Sequence, residues 1–472
     1  MPVFVLGFSA PMMLPALILA LIRDESAMLF GFAVPMGITL GLSLPVFLSI
    51  RREALKIAPK DGFLLVFLTW TGMSLAGAMP YYFSGQGFTL TDAVFESVCG
   101  FATTGATTVS DVEALPSSLL LWRSLTHWFG GMGILLLTVA LMPLLGVGGF
   151  QLIKAETPGP EKEKVTPKIT ATAKILWLVY CGLTIALFFL YLLGGMTWFD
   201  AVCHALATVA TGGVSTKNAG IGHYDSAFIH WTATVFMLLA GFNFNLYYRL
   251  FKGKVKDLLQ NTEARLYVLI FIVASGLIAV SIAPMYGAFG KALRYAAYQS
   301  ASILTTTGSA ITDYTEWTPL AQSVLFMLMF AGGCSGSTAG GIKLIRHAVL
   351  FKQMGNELRR LIYPQGIFSV RLNQKVGRKD VVYGVAGFTF LYMLAVCGTA
   401  LCAAAEGIDL FSALSAAASV IGNVGAGFGA VGPAHTYGGF PDRLKWLFSF
   451  VMIAGRLELW TVFILCVPEY WR

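Results

Sequence analysis

Long apolar stretches recur along the whole chain, each about as long as a bilayer is thick. A helix needs about twenty apolar residues to cross roughly 30 Å of hydrocarbon, and windows of that length predict spanning helices throughout the sequence. The ten predicted spans are 3–22, 27–50, 62–83, 118–146, 174–196, 226–251, 265–285, 317–350, 380–405 and 442–468. The pattern therefore predicts an all-α polytopic membrane protein.

After the first two spans, the remaining spans follow a repeating order. A helix, a short half-apolar segment, a second helix and a basic linker succeed one another four times, and such self-similarity indicates a repeat architecture. The predicted division assigns 1–60 to two N-terminal helices, 61–150, 174–256, 264–352 and 380–472 to four helix–pore loop–helix repeats, and 151–173 and 353–379 to cytoplasmic linkers.

The four short segments align without gaps. In every copy a polar or small residue stands nine positions before a glycine. The earlier residues are Glu96, His204, Gln299 and Ala416, and the glycines are Gly105, Gly213, Gly308 and Gly425. About a dozen residues precede each glycine, too few to cross the hydrocarbon, so each segment is predicted to enter the membrane and turn back. Irregular backbone is tolerated at that depth only against protein or a water-filled cavity, which predicts turns arranged around a central pore.

These turns have the chemistry of a cation filter. A short helix aimed inward presents its negative carbonyl end to the pore, glycine permits the left-handed backbone of the turn, and carbonyl oxygens replace the water that an ion loses. The predicted filter residues are Thr103, Thr104, Gly105, Thr211, Gly212, Gly213, Thr306, Thr307, Gly308, Asn423, Val424 and Gly425. A lone Thr-x-Gly would more often be a helix-packing contact, but four copies at one offset favour a pore.

Two details of the short segments vary between copies. The second motif contains two adjacent glycines, so Gly212 is the filter residue if the register slips by one; the common spacing favours Gly213. Asp92 and Asp200 stand near the starts of their helices, where carboxylates cap free amides. The third copy has Lys291 and Arg294 nearby instead and lacks this feature.

The charge pattern predicts the orientation. Apolar residues make up 56% of the chain and charged residues 12%, with a net charge of +8, and the mean hydropathy is +0.72. Most Lys and Arg residues fall in alternate linkers, which predicts that those linkers and both termini are cytoplasmic. The basic charge thus indicates no nucleic-acid partner, and the seven cysteines are typical of packing residues, with no C-x-x-C pair.

A glycine-rich run interrupts the predicted span 317–350. Glycine costs about 1 kcal/mol relative to alanine in a helix, so residues 332–343 are predicted to break the helix, and our hypothesis is that they form a gate. The predicted gate residues are Gly332, Gly333, Ser335, Gly336, Ser337, Thr338, Gly340, Gly341, Lys343 and Arg456. Close helix packing by small residues is the alternative for the run. Arg456, in the last span, is predicted to be a positive barrier, and a local pair with Glu458 or another carboxylate is its alternative.

Several motifs carry a resemblance to a known family. They are K-D-G-F-L-L (60–65), H-W-F-G-G-M-G-I (127–134), K-A-E-T-P-G-P (154–160), H-A-L-A-T-V-A-T-G-G-V-S-T (204–216), G-G-C-S-G-S-T-A-G-G-I-K (332–343) and G-R-L-E-L-W (455–460). Over essentially its whole length the chain resembles the TrkH/TrkG-type bacterial potassium transporters, in the superfamily that also contains KtrB and plant HKT proteins. The two extra N-terminal helices are similar to the TrkH branch.

The resemblance implies potassium uptake across the bacterial inner membrane through a gated, channel-like pore. It further implies a homodimer with one pore per subunit, a cytoplasmic TrkA-type nucleotide-binding regulatory subunit, and filter glycines at the four positions above. Potassium is then the bound ion and no nucleotide site is expected in this chain. In plant relatives a serine at the first filter glycine accompanies sodium transport, so Gly105 favours potassium.

Two other functions are weighed against this one. An inverted-repeat secondary transporter would need oppositely oriented halves, whereas the four copies share one orientation. A membrane enzyme would need a membrane-proximal cluster of His, Asp or Glu, and the sequence contains isolated ones. The prediction is therefore a transporter and not an enzyme.

Overall fold

Helices, most of them apolar, make up the larger part of this computed structural model, which describes residues 7–50, 61–140, 169–373, 375–376 and 379–472. Most of the linker predicted at 151–173, the K-A-E-T-P-G-P motif and the basic residues of 51–60 lie outside the described residues. Helices α1 (Ser9–Ile22) and α2 (Ser26–Ile50) pack against each other, and they also contact the first copy. Glu25, in the turn between them, accepts hydrogen bonds from the backbone N of Ser117 at 2.9 Å and of Ser118 at 3.2 Å.

Each of the four copies contains a first helix, a short inserted helix and a second helix. Copy 1 consists of α3 (Asp61–Tyr82), α4 (Leu90–Phe101) and α5 (Ser117–Ala140). Copy 2 consists of α6 (Ile169–Leu193), α7 (Trp198–Val209), α8 (Ala227–Ala240) and α9 (Phe244–Phe251), and α10 (Val255–Gln260) follows it. Copy 3 consists of α11 (Thr262–Tyr286), α12 (Phe289–Leu304), α13 (Pro319–Leu328) and α14 (Leu344–Ile362).

A small antiparallel strand pair, β1 (Arg371–Leu372) and β2 (Lys375–Val376), separates copies 3 and 4. Copy 4 consists of α15 (Lys379–Ala405), α16 (Leu410–Gly422), α17 (Asp442–Arg456) and α18 (Leu459–Phe463). Helix α14 continues to Ile362, so the start of the stretch predicted as the cytoplasmic linker 353–379 is helical.

The inserted helices are too short to cross a membrane. They contain 12, 12, 16 and 13 residues in copies 1 to 4, which at 1.5 Å per residue gives about 18–24 Å. The hydrocarbon core measures about 30 Å. Each inserted helix therefore ends at membrane depth if the flanking helices span the bilayer.

Side-chain caps begin three of the four inserted helices. Thr89 and Thr197 accept hydrogen bonds from the backbone N of Asp92 and Asp200, and Asp409 accepts one from Ser412 N. The N-cap residues of the first two helices are thus threonines rather than the predicted aspartates, which lie in the first turn. There they bond to the threonine hydroxyls and complement the helix dipole. Ala288 of copy 3 makes no side-chain cap.

Three predicted spans are not continuous helices. The span 226–251 bends by 93° between α8 and α9, and the span 442–468 bends by 112° between α17 and α18. The span 317–350 contains an irregular segment between α13 and α14. Among the described residues, five helices have the length and composition to cross a membrane, or seven when each bent pair is taken as one span. The irregular segment of the span 317–350 falls where the glycine-rich run predicts a break, whereas the sequence did not predict the two bends.

The bend after α8 has a local cause. The backbone oxygens of Ala240 and Gly241 accept hydrogen bonds from Thr338 N and Cys334 N, which lie in the irregular segment of copy 3. A Cβ on Gly241 would lie 2.6 Å from Tyr267 Oη and 2.8 Å from Thr305 Cγ2. The helix ends there because the irregular segment of copy 3 donates hydrogen bonds to its last carbonyls. In addition, the side chains of Tyr267 and Thr305 fill the space that a Cβ at residue 241 would need.

Glycines allow close packing both within a copy and between neighbouring copies. On α5, a Cβ added to Gly130 would lie 2.1 Å from Phe101 O, at the end of α4. A Cβ on Gly131 would lie 2.7 Å from Tyr180 Oη, on α6 of copy 2. Helix α16 of copy 4 packs against α17, which in turn packs against α4 of copy 1. Contacts therefore run from the last copy back to the first.

The Gly130 contact predicts a stability difference between two glycines of one helix. Gly130→Ala should lower the thermal unfolding midpoint in detergent, because its methyl group meets rigid backbone and such overpacking costs about 1–3 kcal/mol. Gly133→Ala, whose Cβ would be 3.5 Å from the Trp70 ring, should leave the midpoint unchanged or raise it. Equal midpoints for the two variants would contradict the packing argument.

Candidate cation-permeation site

The four turns that follow the inserted helices share one backbone conformation. A non-glycine residue with positive φ begins each turn, and two positions later a glycine again has positive φ. The first residues are Thr103 (52°), Thr211 (55°), Thr306 (54°) and Asn423 (53°), and the glycines are Gly105 (83°), Gly213 (68°), Gly308 (73°) and Gly425 (87°). A left-handed threonine is strained and persists only where the surroundings impose it. The turns are therefore held by their neighbours.

Each glycine lies against a backbone oxygen of the next copy. A Cβ added to Gly105 would be 2.5 Å from Gly212 O, and one added to Gly213 would be 1.9 Å from Thr307 O. The corresponding distances are 1.8 Å from Gly308 to Val424 O and 2.2 Å from Gly425 to Thr104 O. In every case the oxygen belongs to the residue just before the next copy's glycine. The contacts run from copy 1 to 2, 3, 4 and back to 1, so the four turns form a closed ring.

The two glycines of the second motif have different surroundings. Gly213 has positive φ and contacts copy 3, as the equivalent glycines contact their neighbours. A Cβ on Gly212 would instead lie 2.2 Å from Nδ1 of His127, a buried residue of α5. Gly213 thus occupies the repeated position, and Gly212 packs against a side chain of copy 1.

In two copies, the residue nine positions before the glycine stabilises the segment that leaves the turn after the glycine. This segment is called the outgoing strand, although it is not a β-strand. Glu96 is buried and accepts hydrogen bonds from the Thr107 hydroxyl at 2.7 Å and from Thr108 N at 2.6 Å. It also forms a buried ion pair with Arg123 at 3.1 Å. In copy 2, His204 Nε2 lies 2.9 Å from the Ser215 hydroxyl.

Copies 3 and 4 support the outgoing strand by other side chains. Ser302 donates to Ser309 O at 2.6 Å, and Tyr437 donates to Gly425 O at 3.0 Å. Gln299, at the position of Glu96, is fully buried and has no hydrogen-bond partner within the described part of the chain. Ala416 has no polar side chain. One backbone shape is therefore maintained by four different sets of side chains.

A cavity of about 370 Å³ opens above the ring. It is lined by residues of all four outgoing strands, among them the four glycines, and its charged or titratable lining residues are Arg123, Lys217, Asp313, His435 and Tyr437. The acidic residues Asp111 and Glu113 bond to Asn218 of copy 2, and the amide of Asn218 lowers the pKa of the exposed Asp111 carboxyl. These carboxylates join two loops at the mouth of the cavity.

The glycine-rich segment lies directly below the ring and is named the intramembrane loop (residues 329–343). Gly340 N donates to the Thr306 hydroxyl at 2.6 Å. The Thr338 hydroxyl lies 3.3 Å from Val209 O and 3.1 Å from Ala240 O. A Cβ on Gly340 would be 2.5 Å from Gly422 O. The loop thus contacts copies 2, 3 and 4 at the ends of their inserted helices.

The remaining predicted gate residues hold the loop together. Gly332 N donates to Ile342 O, Leu344 N donates to Gly333 O, and Phe244 N donates to Gly336 O. The Ser337 hydroxyl donates to Cys334 O at 2.6 Å, and Lys343 Nζ donates to Ala339 O. Gly336 and Gly341 have positive φ. Ser335 N bonds to a carboxylate on another helix, Glu263.

Arg456 is buried, and within the described part of the chain the hydrogen-bond partners of its side chain are backbone oxygens. Its guanidinium donates to Thr338 O of the loop at 2.7 Å and to Gly130 O of α5 at 3.4 Å. The alternative, a local pair with Glu458 or another carboxylate, is not found among the described residues, where Glu458 pairs with Arg346 at 2.6 Å. Arg346 in turn lies 3.8 Å from the Phe388 ring centroid.

Three residues of this region have contacts that the sequence reasoning did not anticipate. Glu263 resembles an ordinary first-turn acid, and its role depends on a loop far along the chain. Asn423 donates to the Thr104 hydroxyl at 3.0 Å and so joins copy 4 to copy 1. His127, which packs on Gly212, stands in a motif that the sequence supplied without a role. For His127, the available signal in the sequence was its position beside the two glycines of the H-W-F-G-G motif.

The comparisons with known proteins indicate one and the same family. Residues 43–472 match the sequence model of the TrkH family, described as a cation transport protein. The Trk system potassium uptake protein TrkH of Halomonas elongata is 38% identical over 472 residues, covering 98% of this chain and 96% of that protein. The protein of the same name from Escherichia coli (strain K12) is 36% identical, with 99% and 97% covered.

A solved structure shares the fold. The crystal structure of the potassium transporter TrkH from Vibrio parahaemolyticus matches with a TM-score of 0.91 at 34% sequence identity, covering 100% of this chain and 98% of that chain. This match confirms the predicted all-α polytopic membrane fold, and the family match confirms the resemblance.

The ring geometry predicts that Gly213 and Gly212 fail for different reasons when mutated. Gly213→Ala should abolish monovalent-cation uptake, because its methyl group meets a backbone oxygen of copy 3 and φ is positive. Gly212→Ala should also lower uptake, but the additional change His127→Ala should restore part of it by removing the clashing ring. Uptake by each single and double variant, normalised to membrane expression, distinguishes the two.

Rescue of Gly213→Ala by His127→Ala would contradict this assignment. Gly407→Ala is the matched control, because Gly407 also has positive φ (86°) but a Cβ there would meet nothing within 4 Å.

Proposed function

The chain belongs to the TrkH family of cation transport proteins, and we propose that it takes up potassium across the cytoplasmic membrane through a channel-like pore. The family is one of transporters and not of enzymes. The observation that carries the proposal is the closed ring of four turns, each with a glycine against the carbonyl of the next copy. The relatives named above are potassium uptake proteins, and potassium is the proposed cargo.

The filter consists of the twelve residues at the four turns. Each inserted helix ends at its turn, and the carbonyl ends of four helices together favour a cation on the axis. Backbone oxygens then replace the hydration shell of a potassium ion. Gly105 supports potassium selectivity, because a serine there would bring its Cβ within 2.5 Å of Gly212 O and so displace the neighbouring turn.

The intramembrane loop is the proposed gate. Its bonds to Thr306, Val209 and Ala240 hold it below the filter, on the path that an ion leaving the filter would take. Arg456 adds a buried positive charge at the same level and is bonded to the loop through Thr338 O. An ion therefore passes when the loop moves aside, and the guanidinium raises the electrostatic barrier to its passage.

Regulation is assigned to a cytoplasmic subunit of the TrkA type, with the chain acting as a homodimer that has one pore per subunit. The described basic residues after the gate, such as Arg359 and Arg360, are exposed and offer a docking surface. With these linkers inside, both termini are cytoplasmic. Nucleotide would bind to the regulatory subunit.

An inverted-repeat transporter is the second candidate. Its two halves would face opposite ways and form the site from broken helices at the membrane centre. The four equivalent turns of this chain instead use the same φ pattern and the same contact to the next copy. A channel-like pore fits this fourfold equivalence better.

The proposal predicts selective uptake by cells that lack their own potassium transporters. Expression of the chain should restore growth at low potassium and uptake of potassium and rubidium in preference to sodium, and co-expression of a TrkA-type subunit should change the uptake rate. Gly308→Ala should abolish uptake, because its Cβ would lie 1.8 Å from Val424 O. Gly407→Ala should transport as the wild type does.

Transport of a solute other than monovalent cations at a higher rate would overturn the proposed function. Sodium uptake that equals potassium uptake would overturn only the assigned selectivity.

The barrier role of Arg456 predicts a dependence on charge. Arg456→Ala should raise potassium uptake severalfold at a given external concentration, because it removes a buried positive charge below the filter. Arg456→Lys keeps the charge and should remain close to the wild type, although it loses the second hydrogen bond. Rubidium uptake by proteoliposomes measures both, and equal rates for the alanine variant and the wild type would exclude the barrier.

A further inference from the structure

Glu263, in the first turn of α11, is a carboxylate with an unusual set of partners. Only 5% of the residue is exposed, and its Oε1 atom accepts hydrogen bonds from Ser335 N at 2.7 Å and from Ile345 N at 3.1 Å. Both donors are backbone amides of the gate region. A buried carboxylate needs such partners, because leaving it without them is costly.

The two amides bracket the second half of the intramembrane loop. Ser335 lies within the loop, and Ile345 is the second residue of α14, the helix that follows it. First-turn amides of a helix have no intrahelical acceptor, and Lys343, the N-cap of α14, makes no side-chain cap. Glu263 supplies that cap from a different helix, where its negative charge also complements the helix dipole. One oxygen atom thus fixes both ends of this stretch.

The neighbouring residue links the same helix to the cytoplasmic strand pair. Thr262 N donates to the Asn373 side-chain oxygen at 2.8 Å, and Asn373 N donates to the Thr262 hydroxyl at 3.2 Å. Asn373 lies in the turn after β1 and has a φ of 48°. This reciprocal pair joins the start of α11 to a segment more than a hundred residues away in sequence.

The strand pair is also attached to α14. Lys352 Nζ donates to Arg371 O at 2.6 Å. Val370 and Leu372 pack in an apolar cluster with Val349 of α14 and with Val381 and Val385 of α15. The strand pair is therefore attached to α11 through Thr262 and to α14 through Lys352. The first turns of these two helices meet at Glu263.

We infer that Glu263 is a positioning residue that holds the intramembrane loop in place, and that the Asn373–Thr262 pair couples this hold to the cytoplasmic strand pair. The inference rests on the proposed gate and names a part of its control. A cytoplasmic partner that pulls the strand pair shifts the first turn of α11 relative to α14. That shift lengthens the bonds from Glu263 to Ser335 and Ile345 and favours release of the loop.

Hydrogen exchange of the purified full chain in detergent tests the hold without any ion flux. In Glu263→Ala, the amides of Ser335 and Ile345 should exchange about tenfold faster, because each loses a hydrogen bond to a charged group. Glu263→Gln retains an acceptor oxygen of the same reach and should restore most of the protection. Glu357→Ala, which removes an exposed glutamate of α14 bonded to Arg360, is the matched control and should change neither amide.

The coupling is tested at Asn373 by the same measurement. Asn373→Gly removes the side chain while tolerating positive φ, and it should accelerate exchange at Ser335 as well as at Thr262. Asn373→Asp keeps the acceptor oxygen and should exchange as the wild type does. These variants also test the inference if Glu263→Ala fails to fold.

Unchanged exchange at Ser335 and Ile345 in Glu263→Ala would overturn the hold, and unchanged exchange at Ser335 in Asn373→Gly would overturn the coupling. Rubidium flux by the same variants in proteoliposomes separates the inference from the proposed function. Faster exchange with increased flux supports both. Faster exchange with unchanged flux supports the hold by Glu263 and overturns the role of the loop as the gate.

Discussion

The need to satisfy backbone amides and carbonyls away from water shapes this protein more than any single side chain. Four inserted helices are too short to cross a bilayer, and each continues as a turn with two left-handed residues. Such backbone is stable in a bilayer only where protein or a cavity surrounds it. The closed ring of glycine-to-carbonyl contacts and the outer cavity provide those surroundings. The intramembrane loop completes these surroundings on the other side of the ring, and its amides donate hydrogen bonds to the carbonyls at the end of α8.

The same requirement explains why the four copies differ while their turns agree. The ring needs one backbone shape from each copy, and any side chain that reaches the outgoing strand can maintain it. Copy 1 uses Glu96 with Arg123, and copy 2 uses His204. Breaking the buried pair of copy 1 would leave a charge without its partner, which is far more costly than losing a neutral hydrogen bond. The requirement for one backbone shape therefore leaves the supporting side chains free to differ between the copies.

Charge near the proposed gate is arranged by contact with backbone more than by ion pairing. Arg456 and Lys343 donate to carbonyls of the loop or its neighbours, and Glu263 accepts from two amides. Charged groups bonded to neutral dipoles keep much of their field. The proposed positive barrier and the proposed hold on the loop can thus coexist within a short distance of the proposed filter.

Much of the fold could be predicted from the chain because its signals are local. The apolar periodicity indicated membrane helices, and the fixed offset between Glu96 and Gly105, with its three counterparts, indicated four equivalent turns. The glycine-rich run at 332–343 predicted an interruption because glycine weakens a helix wherever it stands. The bends at Gly241 and Glu458 were missed, since each occurs in an apolar stretch that reads as one continuous span.

What the sequence determined by itself was therefore the number, type and order of the repeats, together with the residues that form the turns. Only the tertiary structure decided that Gly213 and not Gly212 faces the next copy, that Arg456 bonds to Thr338 O and not to Glu458, and that Glu263 meets the loop. The physical reason is that these choices depend on atoms from distant copies meeting at a few ångströms. The spacing of residues along the chain does not indicate which carbonyl will lie opposite a given side chain.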